Sequence, residues 1–271
     1  MNKNKLQRLK NLLSIPTKTW QEEDLVQYII ETTHDFDSFE IDDTGNIYIT
    51  KGKVDYYPCF VAHLDSVHDK VDMVVKEEIQ PNAQGELKKA LKAYEKISGE
   101  PTGIGGDDKA GVFICLELLR EMDNCKIFLP VAEETGCHGS KNADPEFFKD
   151  VGYAIQFDST ENDTMSYTLM GVPLYEEEGE FISEVKNVIL EHGLTKWRHH
   201  PYTDTMMLKK KFDFSCLNFA AGYYNYHTID EYVVIEDVSN TLTLAKKVVS
   251  ILGNKKYFFK SKPETNNFLF S

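Results

Sequence analysis

The spacing of apolar residues changes several times along the chain, and each change marks an element. Leu6, Leu9, Leu12 and Leu13 recur at helical spacing and the pattern stops at Ser14-Ile15-Pro16, which predicts a first helix ending before the proline. A second helix is expected from about Trp20 through Leu25, Val26, Tyr28 and Ile29. Residues 38–50 alternate on both sides of Gly45-Asn46 and read as a hairpin. Residues 58–65 form a short, nearly all-apolar run ending in polar residues, and residues 125–134 and 151–158 repeat that design. Such runs suit strands buried on both faces, whose carboxyl ends are where α/β sheets gather ligands. Residues 180–192 and 236–251 carry apolar positions at helical spacing, and residues 215–220 read as one more buried strand. Between the first and second of the polar-ended strands, residues 71–104 are expected to form a surface insertion, with a strand over 73–79 and a Lys-rich helix over 86–97. The order predicts an α/β fold: one domain, residues 1–271, with a mixed, largely parallel central sheet flanked by helices.

Composition narrows the partners. The 271 residues are 41% hydrophobic and 27% charged, as in an ordinary globular protein. A net charge of −14 excludes nucleic acid and anionic membrane surfaces as expected partners, because their phosphates would be repelled. Five cysteines, Cys59, Cys115, Cys125, Cys137 and Cys216, show no CxxC spacing and read as reduced thiols. No apolar run has the length of a signal peptide or membrane span, so a cytoplasmic location is expected.

The acids are not evenly spread. Gly103-Ile104-Gly105-Gly106-Asp107-Asp108-Lys109-Ala110-Gly111 hems two adjacent carboxylates between four glycines and runs into an apolar helix. One Asp would suffice as a helix cap, so the pair on a bent backbone points to a carboxylate being aimed. The polar-ended strands deliver His63 and Asp65, then Glu133 and Glu134, then Asp158, and His227 follows late in the chain. Singly, these are a local hydrogen bond, a solvated pair and a turn former. Converging, they would repel one another unless cations neutralised them. Oxygen and imidazole donors without thiolate suit Zn²⁺, with Co²⁺ or Mn²⁺ as alternatives, and the number of donors suggests two ions.

In this order, His63-Leu64-Asp65, Gly106 to Gly111, Glu133-Glu134-Thr135-Gly136-Cys137-His138-Gly139-Ser140, Phe157-Asp158 and Tyr226-His227-Thr228 to Val233 resemble the motifs of the co-catalytic dizinc peptidases, nearest to peptidase T and its aminoacylase-like relatives. The resemblance spans roughly residues 58–238, and Thr203-Asp204-Thr205 resembles a Thr-Asp segment of the same enzymes. It implies a three-layer phosphorylase/hydrolase-like fold and two Zn²⁺ ions. His63, Asp107 and Asp158 would hold one ion and Asp107, Glu134 and His227 the other. Asp65 would orient His63, Glu133 would be the general base, and the Asp107-Asp108 peptide would be strained, even cis.

The implied activity is removal of a terminal residue from short peptides, as an aminopeptidase or dipeptidase. Deacylation of N-acyl amino acids is the alternative, and a non-catalytic, metal-stabilised binding module the second. Asp108, Asp69, Asp204 and Asp230 are the acids available to receive a substrate's α-amino group. The interval from Asp158 to His227 is too short for the inserted lid and dimerisation domain of peptidase T, so the chain is expected to be lidless, and it carries no sign of its oligomeric state. His68 and His138 are expected to support the site or its loops, His199-His200-Pro201 to be a pocket wall or surface, and Tyr223, Tyr224 and Tyr226 to pack nearby.

Overall fold

Four parallel strands buried on both faces form the middle of the main sheet. In the computed structural model, which describes residues 1–200 and 202–260, the helices are α1 (Lys3–Leu13), α2 (Glu23–Thr32), α3 (Gly106–Glu121), α4 (His138–Lys141), α5 (Glu180–Glu191), α6 (Asp204–Lys211) and α7 (Ile235–Leu252). The strands are β1 (Ser38–Ile41), β2 (Ile47–Lys51), β3 (Tyr57–Val61), β4 (Met73–Pro81), β5 (Leu87–Glu95), β6 (Pro101–Thr102), β7 (Cys125–Leu129), β8 (Val151–Ser159), β9 (Thr164–Leu169), β10 (Val172–Pro173), β11 (Lys196–His200), β12 (Ser215–Ala220), β13 (Tyr223–Tyr224) and β14 (Tyr232–Val234).

The main sheet runs β1-β2-β7-β3-β8-β12-β9-β10, with β11 on β9. β7, β3, β8 and β12 pair in parallel, and the antiparallel β1-β2 hairpin and β9 flank them. Every residue of β3, β7, β8 and β12 is buried, so helices cover both faces, as the unbroken apolar runs predict. α3 lies against β3, β7 and β8 and is packed in turn by α1 and α7. Its burial from Gly106 to Leu119 suits a helix with little polar face. α6 lies against β8 and β12 with α4 beside it. The buried Glu117 of α3 is satisfied by a two-pronged pairing with Arg8 of α1, at 2.7 Å on each prong.

Residues 71–104 differ from expectation in two ways. The expected helix over 86–97 is strand β5, paired along its length with β4 through a turn at Asn82 to Gly85. Lys, Ala and Leu favour a helix locally, but burial of Ala90, Leu91 and Ala93 in a sheet outweighs that preference. Nor is the segment a detached insertion. β5 also pairs with β14, giving a second sheet, β13-β14-β5-β4 with β6, that joins this hairpin to the stretch following His227.

Candidate metal centre

Parallel register brings the chemistry to one edge. Val61 lies level with Phe128 on one side and Gln156 on the other, so His63 and Asp158, each two residues further along, emerge together. Beyond β7 the chain turns at Ala132, which has a positive φ of 50°, and delivers Glu133 and Glu134 to the same place. The glycine loop enters α3 through a cis Asp107-Asp108 peptide with non-helical dihedrals at both residues.

Two sets of potential ligand atoms result, His63/Asp107/Asp158 and Asp107/Glu134/His227, each with its atoms within 4.8 Å of one another. His63 Nε2 lies 3.2 Å from Asp107 Oδ1 and 3.9 Å from Asp158 Oδ1. His227 Nε2 lies 3.4 Å from Asp107 Oδ2 and 2.9 Å from Glu134 Oε1. One oxygen of Asp107 therefore faces each imidazole.

Charge is crowded here. Burial, and then the neighbouring Asp107, push Asp158 well above the usual carboxylate range. Burial raises Glu133 to about 8, helped by Asp204, Glu134 and Asp107 and opposed by His63. Burial also opposes charge on Asp107, but hydrogen bonds from His227 and His63 prevail and hold its pKa low. Hydrogen bonds to Asp107 and Glu134 raise His227 to about 10. His63 is raised too, its bonds to Asp107 and Asp65 outweighing burial. The imidazolium groups thus supply the positive charge that the acids require, which is the role a cation would take. Oxygen and imidazole donors around a shared carboxylate fit a pair of divalent cations.

Around these donors lies a set of supports. Asp65 Oδ1 is 3.2 Å from His63 Nδ1, and the Asp65 carboxylate also accepts the N–H groups of Glu133 at 2.9 Å and Glu134 at 3.2 Å and the Thr19 hydroxyl at 2.8 Å. Asp108, fully buried, accepts the His63 N–H at 3.1 Å and the Gly111 N–H at 3.2 Å. A Cβ at Gly111 would stand 2.3 Å from Asp108 Oδ1, so that glycine makes room for the carboxylate. Tyr223 donates its hydroxyl to Asp158 at 3.2 Å, and Gln156 Nε2 lies 3.2 Å from Asp158 and 3.3 Å from Asp204. Asn218 exchanges hydrogen bonds with the Asp158 main chain, and Cys137 Sγ donates to Glu133 Oε1 at 3.3 Å.

A cleft of about 190 Å³ opens on the cluster, lined by Asp107, Glu133, Glu134, Asp158 and His227 and by Thr160, Tyr202, Thr203, Tyr223 and Tyr226. A larger polar groove of about 710 Å³, near the start of α7 and the tip of the β4-β5 hairpin, lies away from these donors.

All seven residues singled out for catalysis or metal binding, His63, Asp65, Asp107, Glu133, Glu134, Asp158 and His227, thus converge. Others do not. Asp69 is exposed and paired with Lys18, Asp230 is exposed and paired with Lys92, and Asp108 and Asp204 are buried behind the cleft. Tyr224 donates to Asp237 instead of facing the cleft, His138 packs against Trp20, and His199 is exposed against Tyr167 and Thr168. The His200 side chain and Pro201 lie outside the described residues. Gln156, Asn218, Cys137 and Glu231 escape the sequence reading. A Gln or Asn within an apolar run was the available signal for the first two, since a buried amide needs a partner.

No family model matches the chain, and no curated protein sequence does. Solved structures do. The chain is similar to aminopeptidase PepT of Bacillus cereus, with 14% identity over 92% of this chain and 98% of that one and a TM-score of 0.73. Similar too are a tripeptidase of Staphylococcus aureus, 13% identical over 92% and 97% with a TM-score of 0.70, and the TET1 peptidase of Pyrococcus horikoshii, 15% identical over 89% and 98% with a TM-score of 0.63. The mixed, mostly parallel sheet flanked by helices is therefore the fold of these peptidases, built here from a chain with little of their sequence.

Proposed function

We propose that the protein is a metal-dependent exopeptidase that hydrolyses the terminal amide bond of short peptides, with residues 1–271 acting as one lidless catalytic unit. The observation that carries this reading is the sharing of Asp107 between two donor sets, beside a buried acid and an open cleft. His63, Asp107 and Asp158 would hold one divalent cation, and Asp107, Glu134 and His227 the other, with Zn²⁺ first among the candidates and Co²⁺ or Mn²⁺ as alternatives. Bound there, the cations supply Lewis acidity toward the scissile carbonyl and make water a stronger acid. Glu133 would take a proton from water as its oxygen bonds to the scissile carbonyl carbon and would pass that proton to the amine nitrogen as the C–N bond breaks, so the chain itself ends each cycle unchanged. Asp65 fixes the imidazole of His63 and, through its bonds to the Glu133 and Glu134 N–H groups, the position of the base. Tyr202, Tyr226 and Thr160 offer a neutral wall for a substrate side chain.

One observation favours N-acyl-amino-acid deacylation as a second reading. Among the described residues, Asp69, Asp108, Asp204 and Asp230 all lie outside the cleft, which leaves a substrate ammonium only the acids of the cluster. Metal analysis coupled to a panel of peptides with free and blocked N-termini separates the readings. Hydrolysis of free peptides, abolished in Glu133→Ala with the metal content unchanged, supports the exopeptidase. Turnover of blocked substrates alone selects the deacylase. Metal binding without any turnover would leave a binding module.

A further inference from the structure

The loop that presents Asp107 is gripped from behind by the side chain of Glu231. Glu231 is completely buried, and both its oxygens are engaged. Oε2 accepts the Gly105 N–H at 2.8 Å and Oε1 accepts the Asp107 N–H at 2.9 Å, so one carboxylate spans Gly106 and fixes the main chain on either side of it. His68 Nε2 meets Oε2 at 2.8 Å and seats the carboxylate.

The glycines of the loop are shaped to this pair. A Cβ at Gly103 would lie 2.1 Å from the His68 ring. One at Gly106 would lie 2.6 Å from Val233 Cγ2 and 3.2 Å from Glu231 Oε1. The glycines that the sequence suggests bend the backbone to aim a carboxylate therefore also serve close approach in the fold. The same chain segment also reaches round the front: His227, four residues earlier, stands 3.4 Å from Asp107 Oδ2. Asp107 is held by its main chain through Glu231 and by its side chain through His227.

We propose that Glu231, seated by His68, is the positioning residue that sets the direction of Asp107 and thereby governs the affinity of both cations at once. This rests on the two-cation reading above. It distinguishes Glu231 from His227, which faces one donor set only. Replacing Glu231 by glutamine keeps the volume but turns one acceptor into a donor, which cannot satisfy an N–H group.

The test is calorimetric titration of metal-free protein with Zn²⁺ and, separately, Mn²⁺, alongside thermal melting of the metal-free forms. The Glu231→Gln variant is expected to bind both ions about 10–100-fold more weakly, the range for loss of an outer support. Its kcat is expected to fall with KM nearly unchanged. His68→Gln should follow in the same direction with a smaller effect, and it supplies the answer if Glu231→Gln does not fold. His227→Ala is expected to weaken one ion and spare the other. Unchanged metal affinities in a Glu231→Gln protein that merely melts earlier would make Glu231 a purely structural residue and overturn the proposal, as would weakening of one ion alone. A wild type that binds no divalent cation defeats the two-cation reading itself, which is a different result from either.

Discussion

The two halves of the candidate centre are built differently. His63 and Asp158 stand at or just beyond the ends of central strands, and with Asp107 their side chains are 1–9% exposed. In the other half, Glu134 is 10% and His227 41% exposed, and His227 lies on a loop with a positive φ of 63°. The first half is fixed by the packing of the main sheet, whereas the second is completed by a late segment folding back over it. The proposed two-cation centre would thus have a buried floor and a more exposed cover, joined at Asp107.

The comparison breaks first at its joint. Asp107→Ala is expected to abolish binding of both ions and reduce hydrolysis to background, whereas His227→Ala retains one ion. Metal-to-protein ratios after dialysis read this directly, and two ions retained in Asp107→Ala would refute the shared ligand. Next in size is Asp65→Ala, which removes a support from the floor while leaving every proposed ligand in place. A loss of about 10–100-fold in metal affinity or kcat is expected, larger for the ion that His63 would hold, because Asp65 orients the His63 imidazole itself but holds only the main chain of Glu134. An equal loss at both ions would show that the floor and the cover are not separable.

The smallest effect concerns the charge stored in the floor. Burial raises Glu133 to about 8 and Asp204 to about 6, from ordinary values of 4.5 and 3.8. A carboxylate whose folded pKa is raised contributes stability that is fully present below its unfolded pKa and lost as the pH rises through the folded one. Asp107, whose pKa is lowered, acts in the opposite sense only below the ordinary carboxylate range. Metal-free protein should therefore melt at progressively lower temperature from about pH 5 to pH 8, and Zn²⁺ should restore most at the upper end, because its carboxylate and imidazole ligands bind it only when deprotonated. A melting temperature in chelator that rises across this window would contradict the assignment.

Much of this architecture was legible because the residues that build it are periodic. Apolar runs ending in acid or imidazole marked the strands and five of the site residues, His63, Asp65, Glu133, Glu134 and Asp158, whereas the glycine-rich turn marked Asp107 and the resemblance to the dizinc peptidases marked His227. The 86–97 segment was misread because helix-favouring Lys, Ala and Leu gave no sign of the partner strands β4 and β14. Glu231 was hidden for a related reason. Nothing near it in sequence distinguishes it from its exposed neighbour Asp230, yet one is fully buried and the other paired with Lys92 at the surface.

The sequence by itself determined where acids and imidazoles stand at strand ends, because that depends on residue type and local period, and the ordered motifs, through their resemblance to the dizinc peptidases, implied which of them would hold cations. Only the tertiary structure decided which oxygen of Asp107 faces which imidazole, and that Glu231 lies behind the glycine loop rather than in solvent. Those contacts join residues far apart in the chain, His63 to Asp107 across 44 positions and Gly105 and Asp107 to Glu231 across more than a hundred, and their direction is fixed by packing and register that no local pattern encodes.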